Sequence, residues 1–272
     1  AARLWRDFEF PSRVQAVEVL EFAISKRPKD AHAHLQLGNL LANFGRLEEA
    51  VGHWREAARL KPSLGMAFRN LGIHQSTVEE NLAAAEDSYR KAISASPGDQ
   101  TLYRDLAEIL IANDKRAEAI KLLEAMPTEN VPRAEIVIIL AQAHFDENRF
   151  DETLAILEST SEFVNWEGQD ITWSLFNRAR VGRGRKLLER GDHQAALKDF
   201  EIALTYPENL GVGRSHEPLE AAAQYWRGKA LEALGRSKEA KAAWTEGAAG
   251  ASGSEEQVAH VKLCKQALGS NR

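Results

Sequence analysis

Apolar and small residues recur along this chain at the spacing of paired amphipathic helices. The pattern is most complete in 31–62, where apolar positions at helical spacing surround Gly38 in the first half and Trp54 in the second. Gly45 separates the halves, and a residue without a Cβ permits a sharp reversal of the chain. Pro62 ends the second half, because proline lacks the amide hydrogen that a continuing helix needs. The segment is therefore predicted to form a helix, a turn and an antiparallel helix.

The same unit returns along the chain. A small position, where two helices approach, and a large position after it recur together at steps of 34 or 35 residues. The small position is held by Ala16, Ala50, Ala85, Ala119 and Thr153, and the large one by Leu20, Trp54, Tyr89, Leu123 and Leu157. One pair of helices cannot bury its apolar face alone, so neighbouring pairs must stack on one another.

The repeated unit resembles the tetratricopeptide repeat, which carries a Trp-x2-Leu-Gly-x2-Tyr motif, an Ala-x3-Phe motif and a Pro about every 34 residues. Two positions in 31–62 depart from that pattern: His34 stands where the family prefers an aromatic residue, and Leu41 where it prefers Tyr. The resemblance implies an all-α protein, a right-handed α-solenoid of antiparallel helix pairs. In the family the first helix of each pair lines a concave groove.

We expect the whole chain, 1–272, to form one such array. Its parts are a partial first repeat at 1–30, regular repeats at 31–64, 65–99, 100–133 and 134–160, an irregular repeat with an extended first helix at 161–206, an inserted loop at 207–220, a last repeat at 221–250 and a capping helix at 254–269. The step between small positions lengthens to 43 residues before Ala196 and to 44 after it. Two prolines and two glycines within 207–218 favour a shaped loop over another helix.

Local residue choices refine this outline. Asn148 replaces the glycine of the turn, and asparagine tolerates left-handed backbone better than most residues. The polar connection 159–170 is expected to expose Phe163 and Trp166. The segment 254–257, Ser-Glu-Glu-Gln, is predicted to be a capping box that opens the last helix.

Composition and charge narrow the classes of function. The 35 basic and 40 acidic residues give a net charge of −5 without a long run of one sign, which argues against general nucleic-acid binding. The longest apolar run, 136–141, is far shorter than the roughly 20 residues that span a bilayer, so no membrane partner is expected. The single cysteine, Cys264, excludes an internal disulfide and fits a reducing, cytoplasmic setting. Because the chain begins with Ala1-Ala2, it is expected to be an excised piece or a processed chain.

The sequence shows no motif that is typical of a catalytic site. The glycines in 182–184 lack the strand and spacing of a dinucleotide fingerprint, and 146–152 lacks the central glycine of a calcium loop. His32 and His34 point to different sides of their helix, so neither is expected to bind a metal. We predict that the chain is not an enzyme and that it uses no cofactor and no metal.

The predicted groove carries amide and cationic side chains that suit an extended peptide, because asparagine offers both a donor and an acceptor. The predicted peptide-binding residues are Asn39, Asn43, Arg69, Asn70, Arg104 and Gln142. One subgroup of the family grips the C-terminal carboxylate of chaperones with Lys, Asn, Asn, Lys and Arg. Leu35, Thr101 and Asp105 stand at the three cationic positions here, so that clamp is not expected. Ordinary solvated polarity is the alternative reading of the two asparagines.

An arginine-rich helix, 178–190, is the second candidate site. Six cations lie within it, and guanidinium groups are suited to carboxylates and phosphates. The candidate anion-binding residues are Arg178, Arg185, Arg214 and His216. The alternative is that the cations pair with acidic neighbours such as Asp199 and hold the irregular joint together.

These observations predict a protein-interaction scaffold that holds a peptide or partner protein in its groove, or that joins copies of itself through one end as a homo-oligomer. The alternative is a ligand-sensing or accessory module of a carbohydrate-related enzyme, with an anion or sugar bound near the arginine-rich helix and 207–218. The stretch 206–228 is similar to the C-terminal repeat region of large bacterial proteins with an uncharacterised, mutarotase-like N-terminal β domain. That similarity implies a bacterial chain that serves as the recognition or assembly arm of a larger protein.

Overall fold

The computed structural model describes residues 15–127, 133–161, 163, 170–214, 218–250 and 253–270. These residues form fourteen α-helices and one 3₁₀ turn, with no strand among them, so the all-α prediction is confirmed. The helices are α1 (Gln15–Lys26), α2 (Ala31–Asn43), α3 (Leu47–Leu60), α4 (Gly65–Thr77), α5 (Leu82–Ala95), α6 (Gln100–Ala112), α7 (Arg116–Glu124), α8 (Ala134–Asp146), α9 (Phe150–Ser159), α10 (Ile171–Glu189), α11 (His193–Ala203), α12 (Ala221–Ala233), α13 (Ser237–Ala248) and α14 (Glu255–Ser270), with the 3₁₀ turn at Glu208–Leu210.

The chain divides into two compact units, residues 1–133 and 134–272. In the first unit each helix from α1 to α6 packs against the helix that follows it, as stacked helix pairs require. The predicted partial repeat is described from Gln15 onward, and residues 1–14 lie outside the described part of the chain.

The alternation of small and large residues explains how closely the helices of a pair approach. The Trp54 ring of α3 lies against Gly38 of α2, where a Cβ would come within 2.6 Å of Trp54 Cδ1. Ala50 and Ala57, on the same face of α3 as the ring, are completely buried. A ring therefore fills the hollow that small residues leave, and tight packing of this kind makes the contact specific.

Left-handed residues reverse the chain between the helices of a pair. Gly45 has φ 77°, and Asp114 and Asn148 both have φ 56°, so the expectation for Asn148 is confirmed. Between α4 and α5 the turn contains one more residue than the others, and Glu80 takes the positive φ of 51° there. The 35-residue step from Ala50 to Ala85, one residue longer than the usual 34, is thus explained by this longer turn.

In the second unit, α10 packs into an apolar cluster with α9. Trp173 and Phe176 are buried in a cluster that also contains Leu154 and Leu157 of α9. Phe163 belongs to the same cluster and is only 2% exposed, so the expectation that it is exposed was wrong. Phe163 is buried because the loop after α11 covers it. The backbone N–H of Phe163 donates to the carbonyl oxygen of Asn209, 46 positions later in the chain (2.8 Å). Trp166 lies outside the described residues.

The inserted loop after α11 is a packed joint. Asn209 donates from Nδ2 to the carbonyl oxygens of Leu157 and Thr160, at 2.9 Å each, and so satisfies the end of α9. The Tyr206 ring stacks on Trp173 with ring centroids 4.6 Å apart. The described part of the loop, 207–214 and 218–220, contains a 3₁₀ turn and no α-helix, and its contacts hold α9 and α10 together.

The last helix, α14, packs against both α12 and α13. Ser254 Oγ accepts the N–H of Gln257 (3.3 Å), which is one half of the predicted capping box. The Gln257 side-chain oxygen accepts the N–H of Ala221 (3.2 Å), so this glutamine also satisfies the start of α12. Cys264 lies on the buried side of α14, and burial raises the pKa of its thiol to about 11. None of the described helices combines the length and apolarity needed to cross a membrane.

Candidate functional site

Two amide side chains, Asn39 on α2 and Asn70 on α4, form a hydrogen-bonded chain with Trp54 of α3. The Trp54 indole Nε1 donates to Asn39 Oδ1 (2.9 Å), and Asn70 Nδ2 donates to the same oxygen (2.6 Å). Because an indole nitrogen can only donate, these bonds fix the orientation of both amides. The Asn39 Nδ2 group and Asn70 Oδ1 have no partner among the described residues.

An ion-paired cluster continues this row onto α6. Asp105 is 7% exposed and accepts from Arg69 Nε on α4 (2.8 Å) and from Arg104 Nη2 (2.6 Å). Burial, followed by the negative charge of Asp105, raises the pKa of Tyr89 to about 12. Two arginines thus compensate the buried carboxylate, and the Arg69 Nη groups make no hydrogen bond to other described residues.

The other two predicted peptide-binding residues make none of the contacts of this row. Asn43 is exposed at the end of α2. Gln142 belongs to the second unit, where its Nε2 donates to Asp146 Oδ1 (2.6 Å). Four of the six residues therefore form two pairs: Asn39 is bonded to Asn70, and Arg69 is linked to Arg104 through Asp105.

A histidine pair on α2 and α3 was missed in the sequence, because nothing in a single helix links its members. His34 Nδ1 lies 2.9 Å from His53 Nδ1, and His34 Nε2 lies 3.1 Å from the Pro28 carbonyl oxygen. A carbonyl only accepts, so Nε2 carries a proton, and in neutral His34 Nδ1 accepts from His53. Burial, and then the neighbouring His34, lower the pKa of His53.

The cations of α10 divide between its two sides. Arg180 Nη1 (2.8 Å) and Arg183 Nη2 (2.7 Å) both donate to Asp199 Oδ1 on α11, which supports the structural reading for this pair. On the other side, the Arg178 guanidinium lies 4.5 Å from the centre of the Phe145 ring, and Arg185 lies 4.7 Å from that of Trp226. Such contacts stabilise a cation against an aromatic face.

The anion-binding residues predicted around the inserted loop have other partners. Arg214 makes a two-pronged contact with Glu220, from Nε at 3.0 Å and from Nη2 at 2.8 Å. Hydrogen bonding to Glu220 raises the pKa of Arg214 above its usual range. His216 lies outside the described residues. The three described arginines of the set, Arg178, Arg185 and Arg214, therefore contact three different groups.

Within the described ranges, no three histidine, cysteine, aspartate or glutamate side chains are arranged to hold a metal ion.

Helix hairpins in which a ring fills the hollow beside a small residue define this protein as an all-α repeat protein. Models of the tetratricopeptide repeat match residues 15–64, 79–136 and 181–256, which together are more than half of the chain. The chain belongs to the tetratricopeptide repeat family.

Individual proteins similar to this chain include two that are longer and one that is shorter. Human anaphase-promoting complex subunit 7 is 25% identical over 191 residues, which are 69% of this chain and 31% of that protein. A chain in the structure of Naa15/Naa10 bound to HypK-THB is similar with a TM-score of 0.58 and 21% identity, over 90% of this chain and 35% of that one. The crystal structure of YrrB, a TPR protein with an unusual peptide-binding site, is similar with a TM-score of 0.51 and 21% identity, over 70% of this chain and 92% of that one. This chain thus spans about a third of the length of the human protein, and the two solved structures establish the fold alone.

Proposed function

We propose that this chain is a non-catalytic protein-interaction scaffold whose first unit binds an extended peptide across α2, α4 and α6. The observation that supports this proposal is the fixed orientation of two amides. With Asn39 Oδ1 occupied by Trp54 and Asn70, the row offers a donor at Asn39 Nδ2 and an acceptor at Asn70 Oδ1. An extended peptide backbone presents one acceptor and one donor per residue, which this pair complements.

The cations of the row favour a peptide with acceptor groups. The Arg69 Nη groups make no hydrogen bond to other described residues, so they are available to a carbonyl or carboxylate of a peptide. The chaperone clamp is not proposed. Leu35 is buried, and the Thr101 hydroxyl donates to Asp99 Oδ1 (2.6 Å), so two of its three cationic positions hold groups without charge.

Selection of peptides from a random display library against the full chain tests the proposal. A selected peptide should bind Asn39→Asp about tenfold more weakly, because this change keeps the acceptor for Trp54 and removes the Nδ2 donor. Asn70→Ala should weaken binding similarly. Gln194→Ala, at an exposed position of α11, is the control and should bind like the wild type. Unchanged affinity in both asparagine variants, with their helical circular dichroism intact, would rule out this binding surface.

The alternative function, sensing of an anion or sugar, has less support at the residues first predicted for it, because Arg178, Arg185 and Arg214 contact separate groups. Homo-oligomerisation, a bacterial origin, a cytoplasmic location and the lack of nucleic-acid and membrane partners stay predictions. So does the similarity of 206–228 to proteins with a mutarotase-like domain.

A further inference from the structure

A cleft of about 700 Å³ opens in the second unit where the start of α9 meets α10 and α11. Its apolar lining includes Phe150, Leu187 and Ile202, one from each of these helices. Volumes of this order are typical of small-molecule sites, which combine an apolar wall with a few polar groups.

The charged lining of the cleft is strongly positive. Six cationic side chains line it, Arg149, Arg180, Arg183, Lys186, Arg190 and Lys198, against three acidic ones, Asp151, Glu152 and Asp199. The whole chain carries a net charge of −5, so positive charge is concentrated here against the overall balance. A cleft with apolar walls and an excess of positive charge attracts anionic ligands.

Only three of the six cations pair with the acidic residues of the cleft. Asp199 accepts from Arg180 and Arg183, and Glu152 accepts from Arg149 (2.9 Å). Asp151 binds Arg183 Nη1 (2.8 Å), and Arg180 also contacts Glu158 outside the cleft. The other three cations, Lys186, Arg190 and Lys198, have no carboxylate partner among the described residues.

Lys186 is already positioned beside the apolar wall. Its Nζ donates to the Asn148 carbonyl oxygen (2.7 Å) and lies 4.7 Å from the centre of the Phe150 ring. A ligand that brings an anionic group to Lys186 therefore places its adjoining atoms against that ring.

We propose that this cleft binds a phosphate monoester with an apolar body, held through its phosphate by Lys186, Arg190 and Lys198. A phosphate monoester carries up to two negative charges and three terminal oxygens, which three cations can share, whereas a carboxylate offers one charge. The proposal is independent of the peptide surface of the first unit. It also differs from the anion site predicted from the sequence, because at about 100° per residue Arg183 and Arg190 lie on the opposite side of α10 from Arg178 and Arg185.

Isothermal titration calorimetry of the full chain in low-salt, phosphate-free buffer tests this site with phenyl phosphate as the probe. Phenyl phosphate should bind more tightly than inorganic phosphate, which lacks the apolar body, and phenol should not bind. The double variant Lys186→Gln, Arg190→Gln should lower the affinity for phenyl phosphate at least about tenfold, because two charge-assisted contacts are lost. Arg185→Gln, on the same helix but outside the lining of the cleft, is the matched control and should keep wild-type affinity.

Two further measurements make the outcome unambiguous. The substituted side chains are exposed, so equal melting temperatures in the absence of ligand show that the fold is intact. A short phosphotyrosine peptide distinguishes the sources of the phosphate: tighter binding than phenyl phosphate indicates a phosphorylated partner, and equal or weaker binding indicates a small ester. No binding of phenyl phosphate, wild-type affinity in the double variant, or loss of affinity in Arg185→Gln would each overturn the proposal.

Discussion

Trp54 Nε1 donates to Asn39 Oδ1 at 2.9 Å, and this bond joins the packing of the second repeat to its polar surface. The same indole ring fills the hollow beside Gly38 on α2. A residue that makes the helix pair compact thus also decides which atoms of Asn39 face outward. The orientation of Asn39 and the packing of the helix pair therefore both depend on Trp54. Substitutions at Asn39 and at Gly38 test the two effects one at a time.

Asn39→Ala should lower the free energy of unfolding by about 1–3 kcal/mol, because the buried indole N–H loses its acceptor. Asn39→Asp keeps an oxygen for Trp54 and should cost clearly less. Chemical denaturation of the full chain, followed by tryptophan fluorescence, measures both. Equal losses in the two variants would contradict the role assigned to the acceptor.

Gly38→Ala should destabilise the chain by about 1–3 kcal/mol, since the added Cβ would lie 2.6 Å from Trp54 Cδ1 and the ring must shift. Gly52→Ala is the matched control on α3, where no atom lies within 4 Å of the new Cβ. There the alanine should stabilise the helix by about 0.5–1 kcal/mol, because glycine is a poor helix former. Melting curves should move in opposite directions, and a shift of the same sign would argue against this packing.

The contacts within a helix pair could be predicted from the sequence because they follow from local spacing. Gly38 and Trp54 are 16 residues apart on two adjoining helices, so a periodic pattern records their meeting. Asn148 could likewise be placed in its turn, since its backbone preference is a property of the residue itself.

Contacts between pairs and with the inserted loop could not be predicted in the same way. The Asn39–Asn70 and Arg69–Asp105 bonds join residues 31 and 36 positions apart, and the side-chain partner is set by how successive pairs stack. Phe163 is covered by a loop that follows α11, so its own polar surroundings gave the wrong expectation. In the arginine-rich helix, spacing could not show which arginines reach Asp199 and which reach aromatic rings.

The pair formed by His34 and His53 should make the first unit less stable in mild acid. Burial and the neighbouring His34 lower the pKa of His53 in the folded state, with opposing contributions from Glu49 and Glu21 and a smaller lowering from Arg46. The unfolded chain therefore takes up a proton first, and stability should fall as the pH drops below about 6.5. Denaturation midpoints between pH 7.5 and 5.5 measure the effect. His53→Gln should flatten this dependence, and an unchanged slope in that variant would assign it to other groups.

Asp199→Asn should be among the most destabilising polar substitutions in the second unit. Asp199 is 4% exposed and accepts from both Arg180 and Arg183, so removing its charge leaves two partly buried guanidinium groups without their shared partner. Loss of one member of a buried ion pair typically costs about 3–5 kcal/mol.

Asp151→Asn provides the matched comparison for Asp199→Asn. Asp151 also binds Arg183 (2.8 Å), but its side chain is 79% exposed, and solvent screens such pairs, so the expected cost is below about 1 kcal/mol. Thermal and chemical unfolding of both variants therefore separate burial from the mere presence of an ion pair. Similar losses in the two would show that the joint between α10 and α11 does not depend on the buried carboxylate, and the cations of α10 would then need another explanation.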